Sequence, residues 1–483
     1  MQKYENYTML CDYYELTMGN GYYRLGRQDE ITYFDVFFRT VPDGGGYAIF
    51  AGLEQLIEYV QNLHFTEEDL QMLRAKGQFD EGFLDYLRHF RFTGDIFSVR
   101  EGTPIFPGEP IITVRAPAIQ AQLIETFVLL TINQQSLIAT KANRIVRAAD
   151  GRPVAEFGSR RAQGAAGAIL GARAAYIGGC SSTACTLCER DYGIPASGTM
   201  AHSWVQMFDS EYEAFRAYCE LYPDNATLLI DTYDALHSGV PNAIRAIKDV
   251  LVPKGKTHYG VRLDSGDLAY LTKKIRAMLD EAGLPDCKIV ASNSLDEGII
   301  RDLLVQGARI DAFGVGERLI TAKSDPVFGG VYKLAAVEED GRVVPKIKIS
   351  ENIEKITNPG YKKVYRLFDR ESGQAVADYI ALADEDVLAA PPATIFDPVA
   401  TWKQKDVSTC RFVPLQEQIF RNGECVYHCP PIKDVRADCK AQVDCLWEEV
   451  RRFENPHRYY VDLSEKLWSL KQQMLRDGSK GKK

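Results

Sequence analysis

The sequence predicts an α/β protein whose middle part, from about residue 150, forms a parallel β-sheet flanked by helices. Strand-like runs begin at regular intervals there, near Val154, Cys180, Ala196, Thr227, His258, Lys288 and Asp311. Helical stretches separate these runs, and after Asp267 the apolar residues recur at helical spacing. Strands that alternate with helices are typical of βαβ units, whose sheet either closes into a barrel or stays open and doubly wound.

The first 135 residues show a mixed pattern and are predicted to form an N-terminal α/β domain. Asp12 is a candidate cap for a helix, and the aromatic and β-branched run 31–38 predicts a strand that ends at a glycine-rich turn. The same patterns predict short helices at 53–60 and 67–73, strands within 104–116, and a long helix at 119–139.

The chain becomes less periodic after the middle region, which is predicted to end near residue 350. Residues 351–475 are predicted to form a C-terminal extension that packs on the N-terminal domain and ends in a helix at 464–475. The basic residues that follow predict a flexible tail at 476–483.

Composition and charge exclude several classes of protein. The chain has 483 residues, 46% of them hydrophobic and 25% charged, with a net charge of −9. These values predict a folded protein and indicate neither nucleic-acid nor membrane binding. The sequence begins without an apolar signal segment, and its apolar runs are too short to span a bilayer, so we expect a cytoplasmic protein.

The 11 cysteines are an odd number in a chain without a signal segment, which favours reduced thiols. One group near the C-terminus has the residue types of a metal site, namely Cys425, His428, Cys429, Cys439 and Cys445. The spacing within this group is irregular and contains no C-x-x-C pair. Buried thiols are therefore the favoured interpretation, with zinc as the alternative.

Polar side chains follow the predicted strands at the point where each strand ends, at 157–160, 199–203, 231–234, 262–267, 292–294 and 313–316. In a β/α barrel the C-terminal ends of all strands lie on one face, so these residues would converge on a single cavity. The repetition of polar ends is a stronger indication of a site than any one segment.

His202 is one of 7 histidines and lies in a run of small and hydroxyl residues, Ser197-Gly198-Thr199-Met200-Ala201-His202-Ser203. A histidine in such a loop commonly has only a structural hydrogen bond. The functional interpretation is an accessible histidine with hydroxyl donors around it. These residues alone leave both interpretations open.

The other strand ends carry groups that suit an anionic ligand. Gly314-Val315-Gly316 lets backbone N–H groups approach a phosphate, although a lone G-x-G is a weak signal. The segment 262–267 combines an arginine with two carboxylates and a hydroxyl, which fits either a helix cap or an anion site with a metal. Arg160 and Arg161 follow the aromatic Phe157, and Asp231 with Asp234 is a further carboxylate pair. Together these residues indicate a phosphorylated sugar substrate and a divalent ion.

Six motifs carry a more specific resemblance in their order along the chain: Asp12-Tyr13-Tyr14, 156–161, 198–203, 261–267, Ser292-Asn293 and 313–316. In this combination they resemble the nicotinate phosphoribosyltransferases. The resemblance extends from about residue 6 to 365, and more loosely to about 470.

The resemblance implies an enzyme that condenses nicotinate with 5-phosphoribosyl 1-pyrophosphate to nicotinate mononucleotide and pyrophosphate, a step of NAD salvage. It implies an irregular TIM-like β/α barrel, here 136–350, joined to the N-terminal α/β domain. It also implies a homodimer in which residues 1–135 contribute to the partner's active site, and it implies ATP as a cosubstrate with Mg²⁺.

Catalytic roles follow from the same resemblance. His202 would be phosphorylated by ATP, which raises the affinity for the sugar diphosphate, and its small neighbours leave room for the phosphoryl group. Arg160 and Arg262 would supply positive charge to the nicotinate carboxylate and the diphosphate, and Asp264 would hold ribose hydroxyls.

Substrate-binding residues are implied as well. Phe157 and Tyr14 of the partner subunit would enclose the pyridine ring. The 5′-phosphate would be bound by Asn293, Gly314 and Gly316. Further expected substrate contacts are Asp12, Thr199, Ser203, Asp234 and Ser265. The metal ligands are left open.

Three other functions compete with this one. The nearest is a nicotinamide phosphoribosyltransferase, but Gly178–Thr183 are all neutral where such enzymes place an acidic residue. A barrel aldolase or isomerase would need a strand-end lysine for a Schiff base, and the strand-end motifs contain none. A non-catalytic regulator that binds a ligand is the third alternative.

Overall fold

The computed structural model describes residues 6–352 and 355–480, with side chains as far as residue 478. The chain has a mixed α/β fold and divides into two compact units. Ile138–Pro326 form one unit, and the described residues before and after that segment form the other. Each unit has its own sheet, so each is described separately.

The N-terminal part contains six helices and five strands within the described residues. The helices are α1 Tyr13–Arg24, α2 Leu53–Gln61, α3 Glu67–Ala75, α4 Glu81–Arg88, α5 Ala118–Leu123 and α6 Glu125–Ala148. The strands are β1 Ile31–Phe37, β2 Ala48–Ile49, β3 Asp95–Val99, β4 Pro104–Ile105 and β5 Ile112–Pro117. The predicted helix at 119–139 is therefore two consecutive helices, α5 and α6.

The middle part alternates strands and helices as predicted. Its strands are β6 Val154–Glu156, β7 Ser182–Thr183, β8 Ala226–Leu229, β9 Tyr259–Leu263, β10 Lys288–Ser292 and β11 Ala312–Val315. Its helices are α7 Gly164–Ile177, α8 Thr186–Tyr192, α9 His202–Gln206, α10 Glu211–Leu221, α11 Val240–Ala246, α12 Leu268–Glu281, α13 Glu297–Val305 and α14 Glu317–Ile320.

The C-terminal part is mostly strand. It contains β12 Val331–Glu339, β13 Arg342–Pro345, β14 Lys362–Asp369, β15 Ala375–Leu382, β16 Thr394–Phe396, β17 Gln404–Asp406, β18 Cys410–Pro414, β19 Gln416–Arg421, β20 Glu424–Cys425 and β21 Val461–Leu463. Two helices, α15 Ile432–Asp444 and α16 Glu465–Lys480, complete it. The segment predicted as a flexible tail is thus helical to residue 480, and its last three residues lie outside the described part.

The unit formed by 138–326 is built on a six-stranded parallel sheet in the order β7-β6-β11-β10-β9-β8. Its first strand along the chain, β6, pairs with its last, β11, through Val315 opposite Glu156. The strand predicted near Ala196 is only a single parallel bridge to Thr183. Among the described residues no strand pairing joins that bridge to β8, so the structure shows the parallel sheet, and its closure into a barrel stays a prediction.

The other unit contains a seven-stranded sheet in the order β13-β12-β1-β5-β3-β19-β20. Because β12 and β13 join this sheet beside β1, residues 327–350 belong with the N-terminal part, whereas the sequence placed them in the barrel. Strand β19 pairs with β3, and Arg366 donates hydrogen bonds to Asp378 at 2.8 and 2.7 Å and to the Pro104 carbonyl at 2.8 Å. C-terminal and N-terminal segments therefore share one core.

All eleven cysteines are free thiols. In the C-terminal group, Cys439 is buried and Cys425, Cys429 and Cys445 are half-buried. Among the described helices, none combines the length and the apolar character that crossing a membrane requires.

The start of α1 carries a buried carboxylic acid. Asp12 caps this helix in extended backbone, as predicted, although its side chain makes no capping hydrogen bond. Glu15 is fully buried and accepts hydrogen bonds from the Thr126 N–H at 3.1 Å and hydroxyl at 2.6 Å. Burial raises the pKa of Glu15 to about 7, against the opposing effect of the Thr126 hydrogen bonds.

We expect Glu15 to make folding stability depend on pH. Since its pKa is higher in the folded than in the unfolded chain, the folded state binds the extra proton between pH ~4.5 and 7, and its stability falls as pH rises through that window. Glu15→Gln should remove about 2–3 kcal/mol of this pH dependence, as urea unfolding at pH 4.5 and 8 would measure. The control is Glu68→Gln at an exposed position of α3. A Glu15→Gln variant whose stability difference from wild type is the same at both pH values would contradict the prediction.

Candidate functional site

The parallel sheet brings the predicted polar segments to one edge. Every pairing within it is parallel, so the C-terminal ends of its strands point the same way. Beyond those ends lie Phe157 after β6, Asp231 after β8, Asp264 after β9, Asn293 after β10 and Gly316 after β11. The structure thus confirms that these segments share an edge, although it leaves their roles to be tested.

Arg262 is the residue that connects this edge. It lies near the end of β9, and 14% of its side chain is exposed. Its Nε donates to the Ser292 hydroxyl at 2.9 Å, and one terminal nitrogen donates to the Thr199 hydroxyl at 2.8 Å and the Met200 carbonyl at 3.3 Å. The other terminal nitrogen lies 3.2 Å from an Asp264 oxygen. Most of the guanidinium N–H groups therefore donate to other residues of the protein. Through these bonds Arg262 holds the segments at the strand ends together.

Asp264 is held in place from several sides. The Ser292 hydroxyl donates a short hydrogen bond to the same carboxylate oxygen that faces Arg262. Its backbone N–H donates to the Asp231 carboxylate at 2.8 Å, and that carboxylate also accepts from the Ser265 hydroxyl at 2.6 Å. The second Asp264 oxygen is turned toward His202, with 3.9 Å between Oδ2 and Nε2.

His202 stands between a hydroxyl and a carboxylate. It begins α9, and 41% of its side chain is exposed. Its Nδ1 lies 3.1 Å from the Thr232 hydroxyl, which comes from the end of β8, and its Nε2 faces Asp264. A carboxylate on the Nε2 side favours the tautomer with the proton on Nε2, so Nδ1 carries the lone pair. This arrangement suits a nucleophilic nitrogen at an accessible position.

Phe157 forms an aromatic surface beside these groups. Its ring centroid lies 5.8 Å from the Arg262 guanidinium carbon. A Cβ at Gly314 would lie 2.5 Å from two atoms of the ring, and a Cβ at Gly316 would lie 3.1 Å from the Phe157 carbonyl oxygen. The absence of a side chain at Gly314 thus has a packing reason, because only glycine leaves the ring its place. The sequence had suggested a phosphate contact for this glycine, and that role stays a prediction.

A buried acid next to Phe157 was missed as a functional residue. Glu156 is fully buried, and its carboxylate accepts from the Thr183 hydroxyl at 2.7 Å and, through a short bond, from the Gly158 N–H. Burial raises the pKa of Glu156, while these two donors lower it. The pair links β7 to the turn that carries Phe157. The sequence did contain one indication of this role, namely an acidic residue at the end of a short apolar strand.

The remaining predicted residues have varied surroundings. Asp234 caps the turn that follows it, accepting from the Leu236 and His237 N–H groups, and these backbone bonds hold its pKa below the ordinary value. The exposed residues at the same edge are Arg160, Ser203, Ser265 and Asn293. Asp12 and Tyr14 belong to the other unit, where Tyr14 is exposed at the start of α1.

The carboxylates of this edge fit a magnesium ion only with help from a substrate. In the part of the chain that is described, no group of three or more His, Cys, Asp or Glu side chains could hold a metal. Mg²⁺ is commonly bound by one or two carboxylates together with water and substrate phosphates. Asp231 Oδ1 is buried and accepts no hydrogen bond, and Asp264 lies beside it in the network. These two oxygen donors match that mode of binding.

Comparisons with known proteins agree along nearly the whole chain. Residues 9–133 match the model of the nicotinate phosphoribosyltransferase (NAPRTase) N-terminal domain. Residues 153–371 match that of the nicotinate phosphoribosyltransferase (NAPRTase) family, and residues 361–471 match its C-terminal domain.

Individual relatives match over similar lengths. A nicotinate phosphoribosyltransferase of Bacillus subtilis (strain 168) is 46% identical over 475 residues, covering 98% of this chain and 96% of the relative. The human nicotinate phosphoribosyltransferase is 30% identical over 519 residues, covering 96% and 95%. The crystal structure of human nicotinic acid phosphoribosyltransferase superposes with a TM-score of 0.82 at 28% identity, covering 96% of this chain and 100% of the other.

Proposed function

Because the chain belongs to the nicotinate phosphoribosyltransferase family, we propose that the strand-end site performs its condensation and couples it to ATP hydrolysis through His202. The enzyme transfers a phosphoribosyl group to nicotinate in NAD salvage. Family membership excludes the aldolase, isomerase and regulator alternatives. The observation that carries the coupling is the His202 ring, with Thr232 on its Nδ1 side and Asp264 on its Nε2 side.

The condensation is a substitution at the anomeric carbon of phosphoribosyl pyrophosphate. The ring nitrogen of nicotinate forms a bond to that carbon, and the bond to the pyrophosphate oxygen breaks with its electron pair leaving on pyrophosphate. The transition state has oxocarbenium character, so donors that stabilise the departing charge accelerate it. Phe157 stacks on the pyridine ring and aligns it, and the exposed Arg160 pairs with its carboxylate.

The sugar and its phosphates extend along the same edge. Asp264 accepts hydrogen bonds from ribose hydroxyls, and Arg262 supports it while adding positive charge near the diphosphate. The 5′-phosphate meets backbone N–H groups and side chains at the ends of β10 and β11, from Asn293, Gly314 and Gly316. Asp231 and Asp264 are the residues that would hold Mg²⁺ together with the substrate, and the ion would supply positive charge against the leaving pyrophosphate. Ser265 and Asp234 border this region.

ATP acts on His202. The Nδ1 lone pair attacks the γ-phosphorus, an N–P bond forms, and the P–O bond to ADP breaks with ADP as the leaving group. Asp264 stabilises the Nε2–H side of the ring throughout. The hydroxyls of Thr232 and Ser203 donate to the new phosphoryl group. The Thr199 hydroxyl, which donates to the Met200 carbonyl at 3.3 Å in this structure, joins them once it turns toward that group. Water later cleaves the N–P bond, which releases phosphate and restores the histidine.

The expected products provide the test of coupling. With nicotinate, phosphoribosyl pyrophosphate and ATP present, we expect about one ADP for each nicotinate mononucleotide formed, measured by chromatography of the same reaction. Nicotinamide replaces nicotinate in the parallel reaction, and it should be a poor acceptor because 178–183 offer no carboxylate. Product formed at the same rate without ATP, or without ADP release, would overturn the coupling. Equal turnover of nicotinamide would overturn the proposed ring selectivity.

The proposal also includes a barrel fold for the parallel sheet and a homodimer. The pairing of β6 with β11, the first and last strands of the parallel sheet, supports an irregular barrel that would close between the segment near Ala196 and β8. The enzyme is a cytoplasmic homodimer with Tyr14 of the partner subunit on the second face of the nicotinate ring.

A mixed-chain experiment tests the shared site. Tyr14→Ala and His202→Ala chains, each without ATP-stimulated activity, are mixed under conditions that exchange subunits. They should regain up to about a quarter of the ATP-stimulated activity of wild type, because about half of the dimers are then mixed and each mixed dimer contains one intact site of two. Exchange is followed by native mass spectrometry. Complete exchange without recovery would exclude a site built from both subunits.

A further inference from the structure

Two cysteines lie where a strand of the parallel sheet passes into a helix. Strand β7 ends at Thr183, Cys185 caps helix α8, and Cys188 follows within the first turn of that helix. A disulfide requires Cβ atoms about 3.5–4.5 Å apart, whereas residues three apart on a helix have Cβ atoms about 5–6 Å apart. Cys185 has extended backbone at the helix N-cap, so a shift of its backbone would bring the two sulfurs together. A C-x-x-C pair between a strand and a helix is typical of redox-active sites. The pair was not among the predicted sites, which included only the C-terminal cysteines.

The two thiols differ in their surroundings. Cys188 is fully buried, its Sγ donates to the Ile169 carbonyl at 3.4 Å, and it contacts the Cys185 thiol. Burial, followed by the neighbouring Cys185 thiol, raises the pKa of Cys188, so it keeps its proton at neutral pH. Cys185 is half-buried between the exposed residues Ala184 and Thr186. A reagent in solution therefore reaches Cys185 first.

Hydrogen bonds connect Cys185 to the aromatic surface of the site. The Cys185 N–H donates to the Thr183 hydroxyl at 3.0 Å, and that hydroxyl donates to Glu156 at 2.7 Å. Glu156 in turn accepts the Gly158 N–H, immediately after Phe157. The Thr183 carbonyl also accepts the Ser197 N–H at 2.8 Å, at the start of the segment that leads to His202. A change in backbone at Cys185 is thus transmitted to Phe157 through two side chains.

We propose that Cys185 and Cys188 form a reversible, redox-sensitive pair whose disulfide weakens nicotinate binding by displacing Phe157. The effect on the ring rests on the role assigned to Phe157 under the proposed function. The bond itself rests only on the position of the two thiols. Transient disulfides of this kind are the form in which cytosolic proteins sense oxidants.

The reaction partner is a low-molecular-weight disulfide. The Cys185 thiol loses its proton and attacks one sulfur of that disulfide, so a mixed disulfide forms and one small thiolate leaves and takes up a proton. Cys188 then attacks the Cys185 sulfur and passes its proton to the second small thiolate, which this step expels as a thiol. Two protein thiols are oxidised and one small disulfide is reduced to two thiols.

Mapping of the bond is the first test. The purified protein is treated with glutathione disulfide, free thiols are alkylated, and peptides are analysed by mass spectrometry without reduction. We expect a cross-link between Cys185 and Cys188 that dithiothreitol removes. In Cys188→Ser, Cys185 should instead carry a glutathione adduct. Wild-type protein that carries only the adduct, or no modification at these residues, would overturn the proposal whatever the fate of the proposed function.

The activity readout separates the two claims. Oxidation should raise KM for nicotinate about five- to tenfold, the effect of weakening roughly one hydrogen bond or stacking contact, with a smaller change in KM for phosphoribosyl pyrophosphate. Dithiothreitol should restore KM in step with loss of the cross-link. The Cys185→Ser/Cys188→Ser variant should keep its basal KM under oxidant. An equal rise in that variant would attribute the effect to other thiols, and a cross-linked wild type with unchanged KM would overturn the link to Phe157.

Discussion

Replacement of His202 by alanine is expected to abolish the transfer of the γ-phosphoryl group from labelled ATP to the protein. The wild-type chain should take up label in an acid-labile, base-stable form, because a phosphohistidine N–P bond hydrolyses in acid. Nδ1 of the half-exposed His202 carries the ring lone pair at the strand-end site. It accepts a hydrogen bond from the Thr232 hydroxyl at 3.1 Å, and that hydroxyl turns away when Nδ1 attacks phosphorus. Its loss should also remove ATP stimulation, leaving a slower condensation that does not respond to ATP.

His237→Ala is the matched control for this experiment. His237 is also close to a strand-end aspartate, since its Nδ1 lies 3.1 Å from Asp234, but 85% of its side chain is exposed. That variant should be labelled like wild type. Stoichiometric labelling of His202→Ala would show that His202 is not the phosphoryl acceptor. Label that persists on wild-type protein after mild acid treatment would identify a phosphate ester on another residue.

Replacement of Arg262 by methionine should lower kcat/KM for phosphoribosyl pyrophosphate about 100-fold or more, because it leaves the Asp264 carboxylate without its cationic partner. The same change removes the donors to Ser292 and Thr199, so three segments of the edge lose their common contact. Methionine has a similar length, which keeps the loss of packing small. Steady-state kinetics with both substrates varied would measure the effect.

Arg160→Met is the matched control, since Arg160 is exposed on a short helical turn and not within the network. It should raise KM for nicotinate and leave KM for phosphoribosyl pyrophosphate nearly unchanged. Thermal unfolding of both variants separates lost activity from lost structure. A folded Arg262→Met protein with less than about tenfold loss of kcat/KM would contradict the organising role.

The elements of the fold were largely predictable, whereas the pairing partners of individual strands were not. Strands at 31–37 and 288–292 and helices at 53–61 and 268–281 follow local apolar periodicity, which the sequence displays directly. The segment at Ala196 has a similar local pattern but forms only one bridge, because pairing depends on what lies beside it. For the same reason, β12 lies in the sheet with β1 although the chain order suggested the barrel.

The candidate site was likewise predictable only in part. Its segments were predictable because parallel strands place their C-terminal ends together, whatever the residues are. The contacts between them were not: Thr199 and Ser292 lie 63 and 30 residues from Arg262 along the chain and meet at its guanidinium. The role of Glu156 was missed because the sequence does not show which groups donate hydrogen bonds to it. The structure shows that the Thr183 hydroxyl, from the neighbouring strand, is one of them.

The α/β class, the periodic elements, the family and the set of residues at the strand ends could all be predicted from the linear chain. Those features depend on local pattern and on motif order, which the linear chain contains. The folded structure was needed to show that His202 faces Thr232 and Asp264, that Arg262 donates its hydrogen bonds within the protein, and that Gly314 leaves space for Phe157. Sheet register and side-chain packing set those distances, and both arise from residues far apart in the chain.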